Sequence, residues 1–221
     1  IIYMYTEAFG RASYLVSRSR GKKSTVSKAL FIPLSVLEME VEHLNKRDLH
    51  RIKETRICFP LNDVCCDPVK NVLALFLSEV LFRVVKDTEP DPRLFDYLYE
   101  SIHLLEYADK GIANFHMVFL LGLLHHLGIF PNMESHRVGY YFDMLNGVFT
   151  DHIPMHRHYL NKVESAFFSR LLRISFENMS LYGFSRQERV RIIHRILEYY
   201  CLHLPDFPEI KSLSVMQSLF D

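Results

Sequence analysis

Two kinds of hydrophobic pattern divide the chain near residue 60. In "VLEMEVEH", the apolar Leu37, Met39 and Val41 alternate with glutamates, which is the period of two expected for a strand with one buried face. The stretch "YTEAFGRASYLVSR" predicts a hairpin that turns at Gly10, and "LHRIKETRICF" predicts a further strand. The front of the chain is therefore predicted to be a small β region.

After about residue 66 the pattern becomes helical. In "CDPVKNVLALFLSEVLFRVV", Asp67 is a predicted N-cap, a proline follows it, and apolar residues recur at spacings of three and four. The stretch "PDPRLFDYLYESIHLLEYA" repeats this start with Asp91, and Gly128 is placed to end a third helix. Two later helices begin with capping boxes at Asn161 and Ser185. These signals predict a bundle of five helices.

A segment of a different kind separates the third and fourth helices. It reads "NMESHRVGYYFDMLNGVFTDHIPMHRHYLNK", and Asn146-Gly147 is a turn signal between two short aromatic runs. We expect a short β-like insertion at about 132–160. The predicted fold class is α+β, with a small β domain at 1–60 followed by an α-helical bundle domain at 61–221.

Composition indicates the cellular location of the protein without identifying a function. The longest apolar run, "HMVFLLGLLHHLG", is shorter than the roughly 20 residues that span a bilayer. The four cysteines have neither CxxC pairing nor the spacing of a disulfide framework. We expect a cytoplasmic protein with reduced thiols and no membrane contact. The chain opens inside a strand-like stretch without Met, so we also expect that its natural start is missing.

Charge is distributed unevenly along a chain whose formal net charge is zero. Residues 1–56 hold 11 Lys and Arg against 6 Asp and Glu, and the excess is densest in "SRSRGKKSTVSK". Flexible hydroxyl and cationic residues suit phosphate oxygens, although such a run can equally be a solvated surface. Aromatic residues on the neighbouring predicted strands favour single-stranded nucleic acid as the ligand, because bases stack on them. Core packing is the alternative role for each of these aromatics, which are Tyr3, Tyr5, Phe9 and Tyr14.

Several stretches resemble one family in order and spacing. "YTEAFGRASYLVSRSRGKKS", "LFIPLSVLEMEVE" and "LHRIKE" are similar to the N-terminal OB-fold domain of the bacterial RecO recombination mediators. "DPVKNVLALFLSEVLFRVV" and "NFHMVFLLGLLHHLGIFPN" resemble the helical domain of that family. The ending "YYCLHLPDFPEIKSLSVMQSLF" is similar to forms from the Bacteroidetes. The resemblance implies an OB-fold-like barrel at 1–60 whose first strand is missing from this chain.

The resemblance also implies a function. A RecO-like protein is expected to bind single- and double-stranded DNA, to anneal complementary strands, and to help load the RecA recombinase onto DNA coated by the single-strand-binding protein SSB. Its expected partners are the C-terminal tail of SSB, RecR and, indirectly, RecA. No cofactor and no catalytic turnover are expected, and the location is cytoplasmic and nucleoid-associated.

Candidate site residues follow from the basic front of the chain and from one late helix. Arg191 and Arg195 lie one helical turn apart and could address the carboxylate of the SSB tail beside a cleft lined by Ile192, Ile196 and Tyr199. These arginines could equally solubilise an outer helix face. The candidate DNA-binding residues are Arg11, Arg18, Arg20, Lys22, Lys23, Lys28, Lys46, Arg47 and Arg51.

No metal site is predicted. Other family members carry a CxxC…CxxC zinc site in the insertion, whereas this chain has no cysteine between Cys66 and Cys201. Pro154 interrupts the helix that would align the nearby histidines on one face. We therefore interpret the remaining candidate ligands as a solvated loop; they are Asp151, His152, His156 and His158.

Two alternative functions stay open at this point. The chain lacks a Walker loop, GxSxG, GxGxxG and HExxH. A metal-dependent nuclease assembled from carboxylates distant in sequence remains an alternative, ranked below the others. The other alternative is a protein-protein adaptor whose basic loop is incidental. Binding of single-stranded oligonucleotides would distinguish an adaptor from a DNA-binding protein.

Overall fold

The computed structural model describes residues 1–16, 27–44 and 47–219. Two compact units make up the chain: the first contains Ile1–Ala108 and the chain from Ile210 onward, and the second is Asp109–Glu209. The first unit contains the N-terminal strands together with the helices up to Ala108. The domain division near residue 60 stays a prediction.

Four strands of the first unit form one sheet with the order β1-β2-β4-β3. Adjacent β1 and β2 form the predicted antiparallel hairpin, β2 pairs with β4 in parallel, and β3 pairs with β4 in antiparallel fashion. The predicted alternation is present in β3, where partly buried residues alternate with exposed glutamates. The strands are β1 (Ile2–Thr6), β2 (Gly10–Leu15), β3 (Leu37–Glu42) and β4 (His50–Ile57).

The described strands do not close into the predicted barrel. Both β1 and β3 are edge strands in the described part of the chain, and residues of both line a cleft of about 790 Å³. Closure requires the two edges to exchange backbone hydrogen bonds, and the described β1 and β3 are not paired with each other. The sheet is therefore open, and the fold is α+β with two small sheets.

Seven α-helices are present in the described residues, two more than predicted. The additional ones are the short α1 and the last helix, α7. The seven helices are α1 (Asn62–Cys66), α2 (Pro68–Val84), α3 (Pro92–Tyr107), α4 (Ile112–His126), α5 (Lys162–Leu171), α6 (Arg186–His203) and α7 (Ser212–Leu219).

All four predicted N-caps are confirmed. The side chains of Asp67 and Asp91 each accept hydrogen bonds from two backbone N–H groups of the helix that follows. Asn161 and Ser185 form the predicted capping boxes, each with a glutamate three residues later. These local bonds satisfy N–H groups that a helix start otherwise leaves without partners.

Two buried or partly buried carboxylates join the helices of the first unit. Glu79 on α2 accepts hydrogen bonds from the backbone N–H of Lys211 at 3.1 Å and of Ser212 at 2.8 Å, at the start of α7. Glu106 on α3 is buried and accepts from the N–H groups of Asp63 and Val64 at the start of α1. Both carboxylates lie at helix N-termini, where the helix dipole favours negative charge.

The second unit contains α4, α5 and α6 together with the insertion. The insertion holds a three-stranded sheet in the order β6-β5-β7, and the predicted turn lies between β5 and β6 with Gly147 at φ 65°. Its strands are β5 (Tyr141–Asp143), β6 (Val148–Thr150) and β7 (Tyr159–Leu160). No helix in the described ranges is long and apolar enough to cross a membrane.

Candidate nucleic-acid interface

Arg11 holds the β1–β2 hairpin against the end of α2. Its Nη1 donates hydrogen bonds to the carbonyl oxygens of Phe82 at 3.1 Å and Val85 at 2.9 Å. Its backbone N–H donates to the carbonyl oxygen of Asp87 at 2.9 Å. Because the C-terminus of a helix carries partial negative charge, the guanidinium is well placed there. The structure thus gives Arg11 a role in the fold, and its contact with DNA stays a prediction.

Most of the predicted DNA-binding cations lie outside the described residues. Lys28 is the first residue of a short 3-10 turn, Lys28–Leu30. Only the backbone of Lys28 is described. Arg47 and Arg51 are both exposed. The remaining candidates lie outside the described residues: Arg18, Arg20, Lys22, Lys23 and Lys46.

The sheet register places Arg51 at the point where the basic segment begins. In the parallel pairing of β2 and β4, Leu15 is the partner of Arg51. Leu15 is the last residue of β2, and the basic segment follows it in sequence. The structure therefore brings Arg51, which is distant in sequence, to the end of β2.

The other cations of β4 are neutralised by carboxylates of β3. Arg56 forms an ion pair with Glu38 across the strands, and the Nζ of Lys53 lies 3.3 Å from the Oε1 of Glu40. In the same register Arg51 is opposite Glu42. Positive charge on the sheet is thus reduced along β4.

Two histidines support the connection between β3 and β4. The rings of His43 and His50 stack with centroids 3.8 Å apart, and Phe9 stacks on His43 at 3.9 Å. The Nδ1 of His50 accepts a hydrogen bond from the backbone N–H of Leu44. Burial lowers the pKa of His43, and the neighbouring His50 lowers it further. The His43 ring is consequently a packing group of this connection rather than an added positive charge.

The four strand aromatics singled out from the sequence have different environments. Tyr14 is fully buried, and Phe9 stacks on His43. The hydroxyl of Tyr5 both donates to the carbonyl oxygen and accepts from the N–H of Asp91, at 3.3 Å each. Tyr3 alone of these four is largely exposed, at 52%.

Phe82 is a surface residue that the sequence interpretation missed. It lies at the end of α2, is 38% exposed and contacts Tyr3. Its position gives a usable signal, because Phe82 falls outside the three-and-four spacing of the buried α2 residues. An aromatic residue off the apolar stripe of a helix indicates surface exposure.

The predicted SSB-tail residues on α6 separate into buried and exposed groups. Arg191 is exposed, whereas Arg195 forms ion pairs with Glu198 at 2.7 Å and with Glu164 at 3.4 Å. The three apolar residues are each 3% exposed or less, so they pack in the interior of the second unit and do not line an open cleft; they are Ile192, Ile196 and Tyr199. Only Arg191 remains both exposed and outside these two ion pairs.

The histidines of the insertion form separate pairs. The Nε2 of His156 lies 3.2 Å from the Oδ1 of Asp143, and the Nδ1 of His158 lies 3.5 Å from the Oε1 of Glu198. His152 pairs with its neighbour Asp151. Across the described part of the chain, no group of three or more His, Cys, Asp or Glu side chains is placed to hold a metal ion.

Comparisons with known proteins give a consistent result. The family model described as "Recombination protein O C terminal" matches residues 66–213. The chain is 41% identical over 221 residues to the DNA repair protein RecO of Azobacteroides pseudotrichonymphae and 44% identical over 222 residues to that of Bacteroides fragilis. It is 42% identical over 220 residues to the corresponding protein of Phocaeicola vulgatus. Each alignment covers 100% of this chain and 91% or 92% of the relative.

Proposed function

The chain belongs to the RecO family of DNA repair proteins, and from this premise we propose that it binds single- and double-stranded DNA and anneals complementary strands during recombinational repair. It further helps to load a recombinase onto DNA coated by the single-strand-binding protein. It does so by binding alone, without a catalytic step or a cofactor.

The observation that supports this proposal is the pairing of exposed Arg51 on β4 with Leu15, the last residue of β2. The basic segment follows β2 in sequence after Val16. The segment and Arg51 together supply Arg18, Arg20, Lys22, Lys23 and Arg51 as phosphate contacts. Arg47 and Lys46 are further contacts on the β3–β4 connection.

Annealing requires a particular balance of forces. Two complementary strands repel each other through their phosphates, and cations that neutralise this repulsion bring the strands together. The bases must stay accessible for pairing, so tight recognition of base edges would hinder the reaction. Lysine and arginine among small polar residues satisfy both requirements, because they contact phosphates without reading base edges.

The SSB tail and RecR are proposed as protein partners of this activity. Of the α6 residues considered for the tail, exposed Arg191 is the best candidate to contact its carboxylate, because the Arg195 charge already pairs with Glu198 and Glu164. Arg191→Glu is expected to weaken binding of a fluorescent tail peptide and to leave binding of naked DNA unchanged. Unchanged peptide affinity would remove α6 from the tail site.

The DNA-binding proposal is tested by the salt dependence of affinity. Fluorescence anisotropy with a labelled single-stranded oligonucleotide gives the dissociation constant at several salt concentrations. Each phosphate contact on a single strand contributes about 0.7 to the slope of log affinity against log salt. Replacing the four cations of the basic segment with alanine is expected to weaken binding and to reduce this slope by about two to three; they are Arg18, Arg20, Lys22 and Lys23.

A matched variant controls for loss of positive charge as such. It replaces four exposed cations of the second unit with alanine, and we expect it to keep the wild-type slope; they are Lys110, Arg157, Lys162 and Arg173. An equal reduction by both variants would mean that net charge alone governs binding. No binding by the wild-type chain at low salt would favour an adaptor and would contradict the proposal.

A further inference from the structure

We propose that Tyr3, supported by Phe82 and Arg11, forms a stacking site for an unpaired base of single-stranded nucleic acid. This inference rests on the proposed function and adds to it, because the phosphate contacts proposed above do not account for how bases are held. It assigns the site to the outer edge of the four-stranded sheet, on β1 and the end of α2.

Tyr3 is an exposed aromatic residue of the first unit that has a guanidinium group beside it. With Phe82 and Arg11 packed against it, Tyr3 is still 52% exposed. A ring that reaches solvent to this extent on an edge strand adds nothing to the hydrophobic core there. Its exposure has a physical use if a planar ligand covers the ring.

The surroundings of Tyr3 fix the orientation of the ring. The rings of Tyr3 and Phe82 meet edge to face, with centroids 5.0 Å apart and planes at 67°. The Arg11 guanidinium carbon lies 4.6 Å from the Phe82 ring centroid and 5.5 Å from that of Tyr3. The carbonyl oxygens of Phe82 on α2 and of its C-cap Val85 hold this guanidinium in place. The ring is thus held before a ligand arrives, which reduces the entropy lost on binding.

The charge near Tyr3 is suitable for a nucleic acid. Besides Arg11, Arg83 lies close to the cluster, with its guanidinium carbon 5.4 Å from the Phe82 ring centroid. Arg11 and Arg83 thus place two guanidinium groups within 5.5 Å of the ring centroids of this cluster. Aromatic faces beside guanidinium groups are the usual components of single-strand binding sites.

The direction of the hairpin connects this site with the phosphate-binding segment. Tyr3 is opposite Ser13 in the register of β1 and β2. Because β2 continues to Leu15 and the basic segment follows, Tyr3 lies at the end of the hairpin from which that segment starts. A bound strand that stacks a base on Tyr3 therefore runs toward the end of β2, after which the basic segment follows in sequence.

A second exposed tyrosine provides a matched control. Tyr107 at the end of α3 is 57% exposed and also contacts another ring, that of His103. No guanidinium group lies over the Tyr107 ring in the described residues, and the exposed Asp96 and Glu100 share α3 with it. Tyr107 has the same side chain and similar exposure, but its surroundings do not favour a phosphate backbone.

The experiment compares Tyr3→Leu with Tyr107→Leu, because leucine keeps an apolar contact and removes the aromatic face. Anisotropy is measured with a single-stranded oligonucleotide, the same strand with abasic positions, and a duplex. Loss of one base–aromatic stack is expected to weaken single-strand binding by Tyr3→Leu about 5- to 100-fold. The slope against salt, the affinity for abasic strand and the affinity for duplex should stay at wild-type values. Tyr3→Trp should restore binding to normal strand.

Each remaining outcome contradicts the inference in a distinct way. Unchanged single-strand affinity for Tyr3→Leu, while the wild type binds, refutes the stacking site and leaves the proposed function intact. An equal loss on normal and abasic strands assigns Tyr3 a structural role only. An equal loss for Tyr107→Leu shows a nonspecific effect of removing a surface ring. Failure of the wild type to bind any strand contradicts the proposed function itself.

Discussion

Lys70 is the residue whose replacement should most destabilise the first unit. Its side chain on α2 is 6% exposed, and lysine is rarely buried without partners. The Nζ donates hydrogen bonds to the carbonyl oxygen of Glu106 at 2.6 Å and to the Oδ2 of Asp63 at 3.3 Å. Glu106 is itself buried, and its carboxylate accepts the N–H groups of Asp63 and Val64. One cation and one carboxylate thus join α1, α2 and α3.

Lys70→Met keeps most of the side-chain volume and removes the charge. The backbone carbonyl oxygen of Glu106 then loses its charged donor, and Asp63 loses its ion-pair partner. Loss of this buried hydrogen bond and of the partly exposed ion pair together costs about 2–4 kcal/mol. In a protein of this size each kcal/mol lowers the melting temperature by roughly 2–4 °C. Glu106→Gln keeps one acceptor oxygen for the N-terminus of α1, so a smaller loss of about 1–3 kcal/mol is expected.

Denaturation with urea measures both variants and the double variant, and amide hydrogen exchange at Asp63 and Val64 reports the first unit separately. This separation is needed because two compact units can unfold in separate steps. Coupling of about 0.5–3 kcal/mol is expected between the two substitutions. Lys110→Met, at an exposed lysine, should change stability by no more than about 0.5 kcal/mol. A loss below about 1 kcal/mol for Lys70→Met, or full additivity in the double variant, would refute the reasoning.

Three further predictions concern other contacts. Gly10→Ala should destabilise the chain by about 2–4 kcal/mol in urea denaturation, because φ is +56° and the new Cβ would lie 2.4 Å from the carbonyl oxygen of Glu89. Glu79→Gln should increase hydrogen exchange in α7, because the carboxylate that accepts the N–H of Ser212 loses its charge. Asp143→Asn should make stability fall less steeply as the pH drops below about 4, measured by thermal denaturation at several pH values.

The sign of the last effect follows from the folded state. Burial raises the pKa of Asp143, but hydrogen bonds from Asn146 and His156 lower it more, so the net pKa is below its usual value of 3.8. A lowered pKa contributes stability above the unfolded value, and this contribution is lost as the pH falls through the folded value. If Asp143→Asn lost stability below about pH 4 as steeply as the wild type, the lowered pKa of Asp143 would not contribute to the acid sensitivity of the protein.

Controls are available for the other two substitutions. Gly139→Ala also has a positive φ, but nothing lies within 4 Å of the new Cβ, so it should cost only about 1–2 kcal/mol of backbone strain. An equal cost at both glycines would contradict the close approach at Gly10. Glu100→Gln, at an exposed glutamate of α3, should leave α7 exchange unchanged. Unchanged exchange in Glu79→Gln would show that α7 is held by its apolar contacts alone.

The sequence by itself determined the features that depend on neighbouring residues. Asp67 and Asp91 start their helices as predicted because a cap bonds to N–H groups two and three residues later, so the signal is complete within one short stretch. The alternation in β3 likewise indicates which of its faces is covered. The existence and type of most elements, and the division into strands followed by helices, were predictable for this reason.

Only the tertiary structure decided which residues are free to act. The partners of Arg11 are carbonyl oxygens 71 and 74 positions away, so its role in anchoring the hairpin is not visible in the local pattern. The periodicity of α6 showed that Ile192 and Ile196 share a face, but not that this face is buried. Whether the sheet closes into a barrel, and whether Tyr3 or Tyr14 reaches solvent, depends on how β1 and β3 meet the helices. Such contacts join distant parts of the chain, and their energies are set by packing that no short stretch of sequence contains.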